Sequence, residues 1–120
     1  MRLIALCLLF AAVLAGTDVA GTWRGTIATE MARETTGGTI PAFMVLRQSD
    51  GRVTGTAGPS EDMQFQIQKG SLEGDRLMVE ASPKEGSVRR FVLTLKDGTI
   101  EGEVQENGTL IGTAKLSKLR

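Results

Sequence analysis

The chain has 120 residues, with 14 basic and 14 acidic side chains, one cysteine, one tryptophan, and neither histidine nor tyrosine. Zero net charge leaves no electrostatic footprint for nucleic acid or for an anionic lipid surface, so neither is an expected partner. The absence of histidine and tyrosine leaves mainly carboxylates, Lys, Arg, Ser and Thr for acid–base or nucleophilic work, a poor kit that argues against an enzyme.

The N-terminal stretch reads as a secretory signal. Arg2 supplies a positive n-region, Leu3 to Leu14 an apolar h-region, and Val13-Leu14-Ala15 a small-residue cleavage site. About twelve apolar residues are too few to cross a bilayer, which takes roughly twenty, so no membrane insertion of the mature chain is expected. Residues 1–15 are therefore expected to be removed, and residues 16–120 to form a single exported domain, secreted or periplasmic. Cys7 leaves with the signal. Disulfides, thiolate catalysis and thiolate metal sites go with it.

Past the signal, fifteen glycines, abundant Thr, Val and Ile, and no apolar period of 3.6 point to an all-β domain. The pattern Gly-x-apolar-x-Gly first occurs at Gly21-Thr22-Trp23-Arg24-Gly25 and recurs from Gly51, Gly70, Gly98 and Gly108. Each copy puts a turn glycine before a short alternating strand. Eight strands are predicted, over Thr22–Thr29, Thr39–Gln48, Arg52–Ala57, Met63–Leu72, Arg76–Ala81, Val88–Lys96, Thr99–Gln105 and Thr109–Leu116. An eight-stranded antiparallel up-and-down β-barrel would remove both sheet edges.

Turn length fixes which side chains share a face, so each hairpin can be tested against its own alternation. Two-residue loops at Gly74-Asp75 and Asp97-Gly98 pair Leu72 with Leu77, and Leu95, Leu93 and Phe91 with Ile100, Gly102 and Val104. By the same test, three-residue loops are expected at Ser49-Asp50-Gly51 and Glu106-Asn107-Gly108. The first gathers Phe43, Val45, Val53, Gly55 and Ala57 on one face, and the second joins Val104 to Leu110. Met44, Leu46, Met78, Val92 and Ile111 then point outward, and if contiguous they would form a homo-oligomer or protein-partner interface. Short and longer connections alternate, so the longer ones at Glu30 to Gly38, Gly58 to Asp62 and Ser82 to Ser87 should gather at one end, where barrel mouths bind.

Trp23 falls at the tightly turned end, where it is expected to act as a structural plug. The last strand runs toward the same end and continues its inward face through Lys118 and Arg120, so a cation could cover the indole, with Arg47 as a competing candidate.

These residues resemble the calycin superfamily of lipocalin-like and avidin-like barrels. Gly21-Thr22-Trp23 is similar to the Gly-x-Trp that opens the first strand in that group, and Lys118 and Arg120 fall where lipocalins keep an arginine across the tryptophan. Phe43-x-Val45, Asp50-Gly51 and Val53-Thr54-Gly55-Thr56 follow the spacing of avidin strands two and three, over about a third of the mature chain. The resemblance implies a ligand-binding barrel. It does not imply biotin, because Gly25 stands where avidins carry asparagine, Ala57 where they carry tyrosine, and Trp23 has no second tryptophan beside it.

Remaining constellations read as structural. Glu101 and Glu103 lie two apart on a face opposite Ile100, Gly102 and Val104, which suits solvated carboxylates better than a catalytic pair. Glu61-Asp62, Asp50 and Asp97 suit turns and lack the ligand density of a calcium loop, so no metal or cofactor is expected. Asn107-Gly108-Thr109 fits a glycosylation sequon, but Asn-Gly is also what a hairpin demands. Inward glycines at Gly25, Gly55, Gly102 and Gly112 would either leave room for a ligand or, as the preferred reading, let coiled strands approach closely. The expected function is non-enzymatic binding of a small apolar molecule lined by Ile27, Phe43, Ala57, Phe65, Val79, Ala81, Phe91 and Val104. The alternative is an interaction, inhibitor or envelope module whose barrel is filled.

Overall fold

The computed structural model describes residues 18–29 and 38–119. The expected export signal with Cys7, residues 30–37 of the first connection, and Arg120 lie outside the described residues. Eight strands are present: β1 (Gly21–Thr29), β2 (Thr39–Ser49), β3 (Arg52–Ser60), β4 (Met63–Glu73), β5 (Arg76–Lys84), β6 (Ser87–Lys96), β7 (Thr99–Glu106) and β8 (Thr109–Lys118). They pair in sequence order, every pair antiparallel, and β8 closes onto β1. The all-β, eight-stranded closed barrel expected from the alternation is the observed architecture, and closure leaves no edge strand.

Two hairpins follow the expected turn chemistry. Asp97 and Gly98 take φ of 51° and 76°, Lys96 pairs with Thr99, and Leu95, Leu93 and Phe91 face Ile100, Gly102 and Val104. Gly74 takes φ 62°, with Glu73 opposite Arg76.

Two others correct the expectation. At Asp50-Gly51 the loop has two residues, with Ser49 opposite Arg52 and Asp50 at φ 56°. One residue of register turns β2 over, so Ala42, Met44 and Leu46 join the core and Arg47 is exposed. The first strand decides the matter. Trp23 lies opposite Met44 and Arg24 opposite Phe43, so turning Phe43 inward would carry the Arg24 guanidinium into the barrel with it. Phe43 is buried, but it lies outside the contiguous core.

At the β7–β8 hairpin, Asn107 and Gly108 form a two-residue turn at φ 50° and 85°, with Glu106 opposite Thr109. A bulge then separates the Gln105–Leu110 pair from the Val104–Gly112 pair. It exposes Leu110 and packs Ile111 against the core, the reverse of the expected placement. Of the five residues expected to point outward, Met44, Leu46 and Ile111 thus belong to the interior, while Met78 and Val92 pair with each other and are half-buried.

The medium-length connections are also shorter than expected. β3 continues through Pro59 to Ser60 and β5 through Pro83 to Lys84, leaving only Glu61-Asp62 and Glu85-Gly86 between strands. Proline cannot donate to a ladder, and register shifts accordingly fall between Ala57 and Ser60 and between Ala81 and Lys84. A further shift between Ile67 and Lys69 lets Ile67 and Leu72, five residues apart, share the inner face.

At the tightly turned end the barrel is filled. Trp23, Leu46, Leu77, Leu93, Ile100 and Leu116 are each at most 2% exposed. The indole Nε1 donates to the carbonyl of Val19 at 2.9 Å, and Val19 N in turn donates to Gln48 Oε1 at 2.8 Å, so the segment before β1 lies across this floor. Both groups are buried or partly buried polar atoms with partners, as a closed floor requires. Lys118 Nζ stands 5.9 Å from the indole centroid, within cation–π range, whereas the exposed Arg47 stands on the other face.

The inward glycines serve close approach. A Cβ on Gly25 would fall onto the carbonyl oxygen of Lys115, and one on Gly102 onto that of Val92. The space these residues leave is taken by neighbouring backbone.

Candidate functional site

The opposite end is not filled. An eight-stranded barrel has an interior just wide enough for side chains to close, provided that they are large. Near the floor each strand supplies Leu, Ile, Val or Trp, but toward the mouth β2, β3 and β5 supply Ala42, Ala57 and Ala81. A cavity of about 320 Å³ results, at the lower end of the range usual for small-molecule pockets. Ile27, Ile40, Met44, Phe65 and Phe91 complete its inner wall, and Pro41, Phe43, Gly58, Pro59, Met63 and Pro83 border its opening.

Six of the eight residues expected to line a ligand meet here: Ile27, Phe43, Ala57, Phe65, Ala81 and Phe91. Val79 and Val104 do not border the cavity; both are fully buried in the core. Phe43 does so only at the rim. Its ring lies beneath the guanidinium of Arg24, 5.5 Å from the centroid, and Glu61 approaches the same arginine at 3.6 Å. Gln64 Nε2 donates to the Phe43 carbonyl at 3.1 Å, fixing this corner to β4.

Sequence reasoning missed Ile40, Ala42 and Met44, through the β2 register, and it missed the polar end of the inner face. The stripe Leu93, Phe91 continues by alternation to Arg89, and the stripe Ile100, Gly102, Val104 continues to Glu106; the two residues are direct partners across β6 and β7. Both could have been found by carrying the period two residues further. Arg89 Nη2 donates to Glu106 Oε1 at 2.7 Å, and Ser87 Oγ donates to the same oxygen at 3.3 Å. Arg89 also borders the cavity.

The hydrogen bond from Arg89 lowers the pKa of Glu106 below its ordinary value, against a smaller opposing effect of burial, with further lowering by the charge of Arg89, by Ser87 and by Lys84. Glu106 is thus a carboxylate at neutral pH. A second pair, Arg90 with Glu80 at 2.7 Å, is formed by residues that alternate to the outer face of β5 and β6, and Glu80 is buried.

Glu101 and Glu103 are exposed, opposite Lys115 and Thr113. Among the described residues no group of three or more His, Cys, Asp or Glu is placed to hold a metal ion, and no helix is long and apolar enough to cross a membrane. Asn107 Oδ1 accepts from Val88 N at 2.9 Å, so its side chain ties the β7–β8 turn to β6.

The closed meander with its floor tryptophan and open mouth has the fold of the lipocalin-like, calycin barrels. Among solved structures it is similar to the N57A mutant of the fluorescent protein UnaG, with a TM-score of 0.52 at 13% identity over 85% of this chain and 96% of that one. It is similar also to a secretory abundant heat soluble protein from Ramazzottius varieornatus, with a TM-score of 0.50 at 13% identity over 85% of this chain and 95% of that one. No family model matches the sequence, and no curated protein does so significantly.

Proposed function

We propose that the protein is an exported, non-enzymatic carrier or scavenger that holds one small, largely apolar molecule in the mouth half of its barrel. The observation that carries this reading is the cavity of about 320 Å³ walled by Ile, Met, Phe and three alanines above a floor with no space. Burial of apolar surface supplies the binding free energy, at about 25 cal/mol per Å² before the costs of association. A water occupies about 30 Å³ of liquid, so the space takes a ligand of about ten heavy atoms, with any longer body emerging at the rim. The non-enzymatic part rests on the chemistry of the wall. Among the described residues the only ionisable side chain of that wall is Arg89, engaged by Glu106. Export rests on the composition of residues 1–15.

Native mass spectrometry of the protein purified from its own source, before and after organic extraction, tests the reading. A retained molecule that extraction removes and that rebinds in a one-to-one ratio is expected. Protein that carries nothing and takes up no apolar compound would overturn it.

A further inference from the structure

One aromatic side chain lies apart from the barrel interior. Phe43 is 7% exposed although it stands on the outer face, in a row with Arg24 of β1 and Gly58 of β3, beside a second row of Thr22, Val45 and Thr56. A groove follows these rows, with Arg24, Phe43, Glu61 and Gln64 at one end and Val45 and Leu119 toward the other. Three groups at the first end attract a cation that carries N–H donors: the ring face, the Glu61 carboxylate and Oε1 of Gln64. Gln64 Nε2 donates to the carbonyls of Phe43 and Ser60 at 3.1 and 2.8 Å, while its Oε1 is buried and has no hydrogen-bond partner among the described residues. A buried acceptor left unmade is destabilising, so it points to a donor that arrives with something else. Arg24 does not supply that donor. Its guanidinium lies 5.5 Å from the ring centroid and meets Glu61 only at 3.6 Å, with the two side chains 58% and 69% exposed, so these contacts are weak enough to exchange.

We propose that this groove docks an extended, arginine-bearing segment of a partner protein. The incoming guanidinium replaces that of Arg24 on the Phe43 ring and donates to Gln64 Oε1 and to Glu61, while flanking residues of the segment lie along Val45 and Leu119. Arginine fits better than lysine, because its planar fork of five N–H donors lies flat on a ring and still reaches two acceptors, whereas an ammonium is compact and strongly hydrated. Charge favours a cation as well. Glu61 and Asp62 make up the whole β3–β4 turn and both are exposed, so among the described residues this end of the groove sets two carboxylates against the guanidinium of Arg24. The occupant is a polypeptide rather than a free amine because the groove continues past the cation niche to Leu119, which is 40% exposed and offers an apolar contact to a neighbouring residue of the segment. Arg24 is thereby the resident competitor, holding the ring until the segment arrives. The site lies on the outer wall and does not depend on the binding reading above.

NMR titration of the protein with the peptide acetyl-Leu-Thr-Arg-Thr-amide, and with its citrulline analogue, which keeps the shape and lacks the charge, tests the proposal. Saturable shifts at Thr22, Val45 and Thr56 are expected with both, the arginine peptide binding about tenfold more tightly. Arg24→Gln removes the competitor and should tighten the arginine peptide several-fold. Glu61→Gln should weaken it several-fold and change the citrulline analogue little. Both replaced side chains are exposed, so the fold is expected to tolerate their loss, and the comparison of the two peptides needs only the unaltered protein. Equal affinity for the two peptides would overturn the cation niche. Absence of shifts on this outer face would overturn docking there. An arginine peptide weakened by Arg24→Gln would contradict the replacement, and methylguanidinium bound as tightly as the peptide would overturn the choice of a polypeptide.

Discussion

The two halves of this barrel are built from the same strands and differ in one respect, the volume of the inward side chains. In the floor half Trp23, Leu46, Leu77, Leu93, Ile100 and Leu116 meet with at most 2% exposure. In the mouth half Ala42, Ala57 and Ala81 stand at the corresponding inward positions and the wall encloses about 320 Å³. Glycine does not make the difference, because the interior glycines bring strands together and open no space. The contrast teaches that stability and binding are separated along the barrel axis, so substitutions in one half should move one property and spare the other.

The largest effect belongs to the floor. Trp23→Ala removes a fully buried indole and its bond to Val19, and should destabilise by about 3 to 5 kcal/mol in urea unfolding. The matching truncation at the mouth, Phe65→Ala, takes a half-buried ring from a wall that already borders space, and should cost no more than about 1 to 2 kcal/mol. Equal losses at the two sites would erase the distinction.

Adding volume should reverse the order. Val104→Phe overfills a fully buried position and is expected to cost about 1 to 3 kcal/mol. Ala81→Leu grows into the cavity and should leave stability within about 1 kcal/mol of the parent, in the stabilising direction, while reducing ligand uptake. Thermal unfolding with and without an apolar ligand reads both.

The smallest effect concerns pH. Glu106 has a pKa lowered in the fold, so its contribution is present above the ordinary carboxylate range and is lost as pH falls through the lowered value. Its side chain is 36% exposed and that of Arg89 31%, so solvent screens the pair and the effect should stay below about 1 kcal/mol. Glu106→Gln should flatten this component of the acid limb of a stability–pH curve, leaving the limb above pH 6 unchanged.

The barrel was legible because turn glycines and alternation agree over most of the chain, as the β6–β7 hairpin shows residue by residue. Where a hairpin admitted two loop lengths, local alternation could not choose. At β2 the sets Phe43, Val45 and Met44, Leu46 are equally apolar, and the choice is made by Trp23 and Arg24 on the neighbouring strand, a pairing of distant residues. β3 and β5 run on through Pro59 and Pro83 by register shifts, past the expected ends at Ala57 and Ala81. Six of the eight expected wall residues border the cavity, because Ile27, Ala57, Phe65, Ala81 and Phe91 alternate to the inner face as expected and Phe43 reaches the rim. The Arg89–Glu106 pair is hidden for another reason: the two residues break the apolar character of their stripes at the strand ends.

Methyl-resolved NMR of the protein titrated with decanol, a neutral apolar probe, tests the separation of the halves most directly. Predicted are saturable shifts for Ile27, Ile40, Ala57 and Ala81, with Leu77, Ile100 and Leu116 unmoved. Shifts confined to outer positions such as Val45, shifts spread evenly through the floor, or none at all at high decanol concentration would contradict a mouth cavity set above a closed floor.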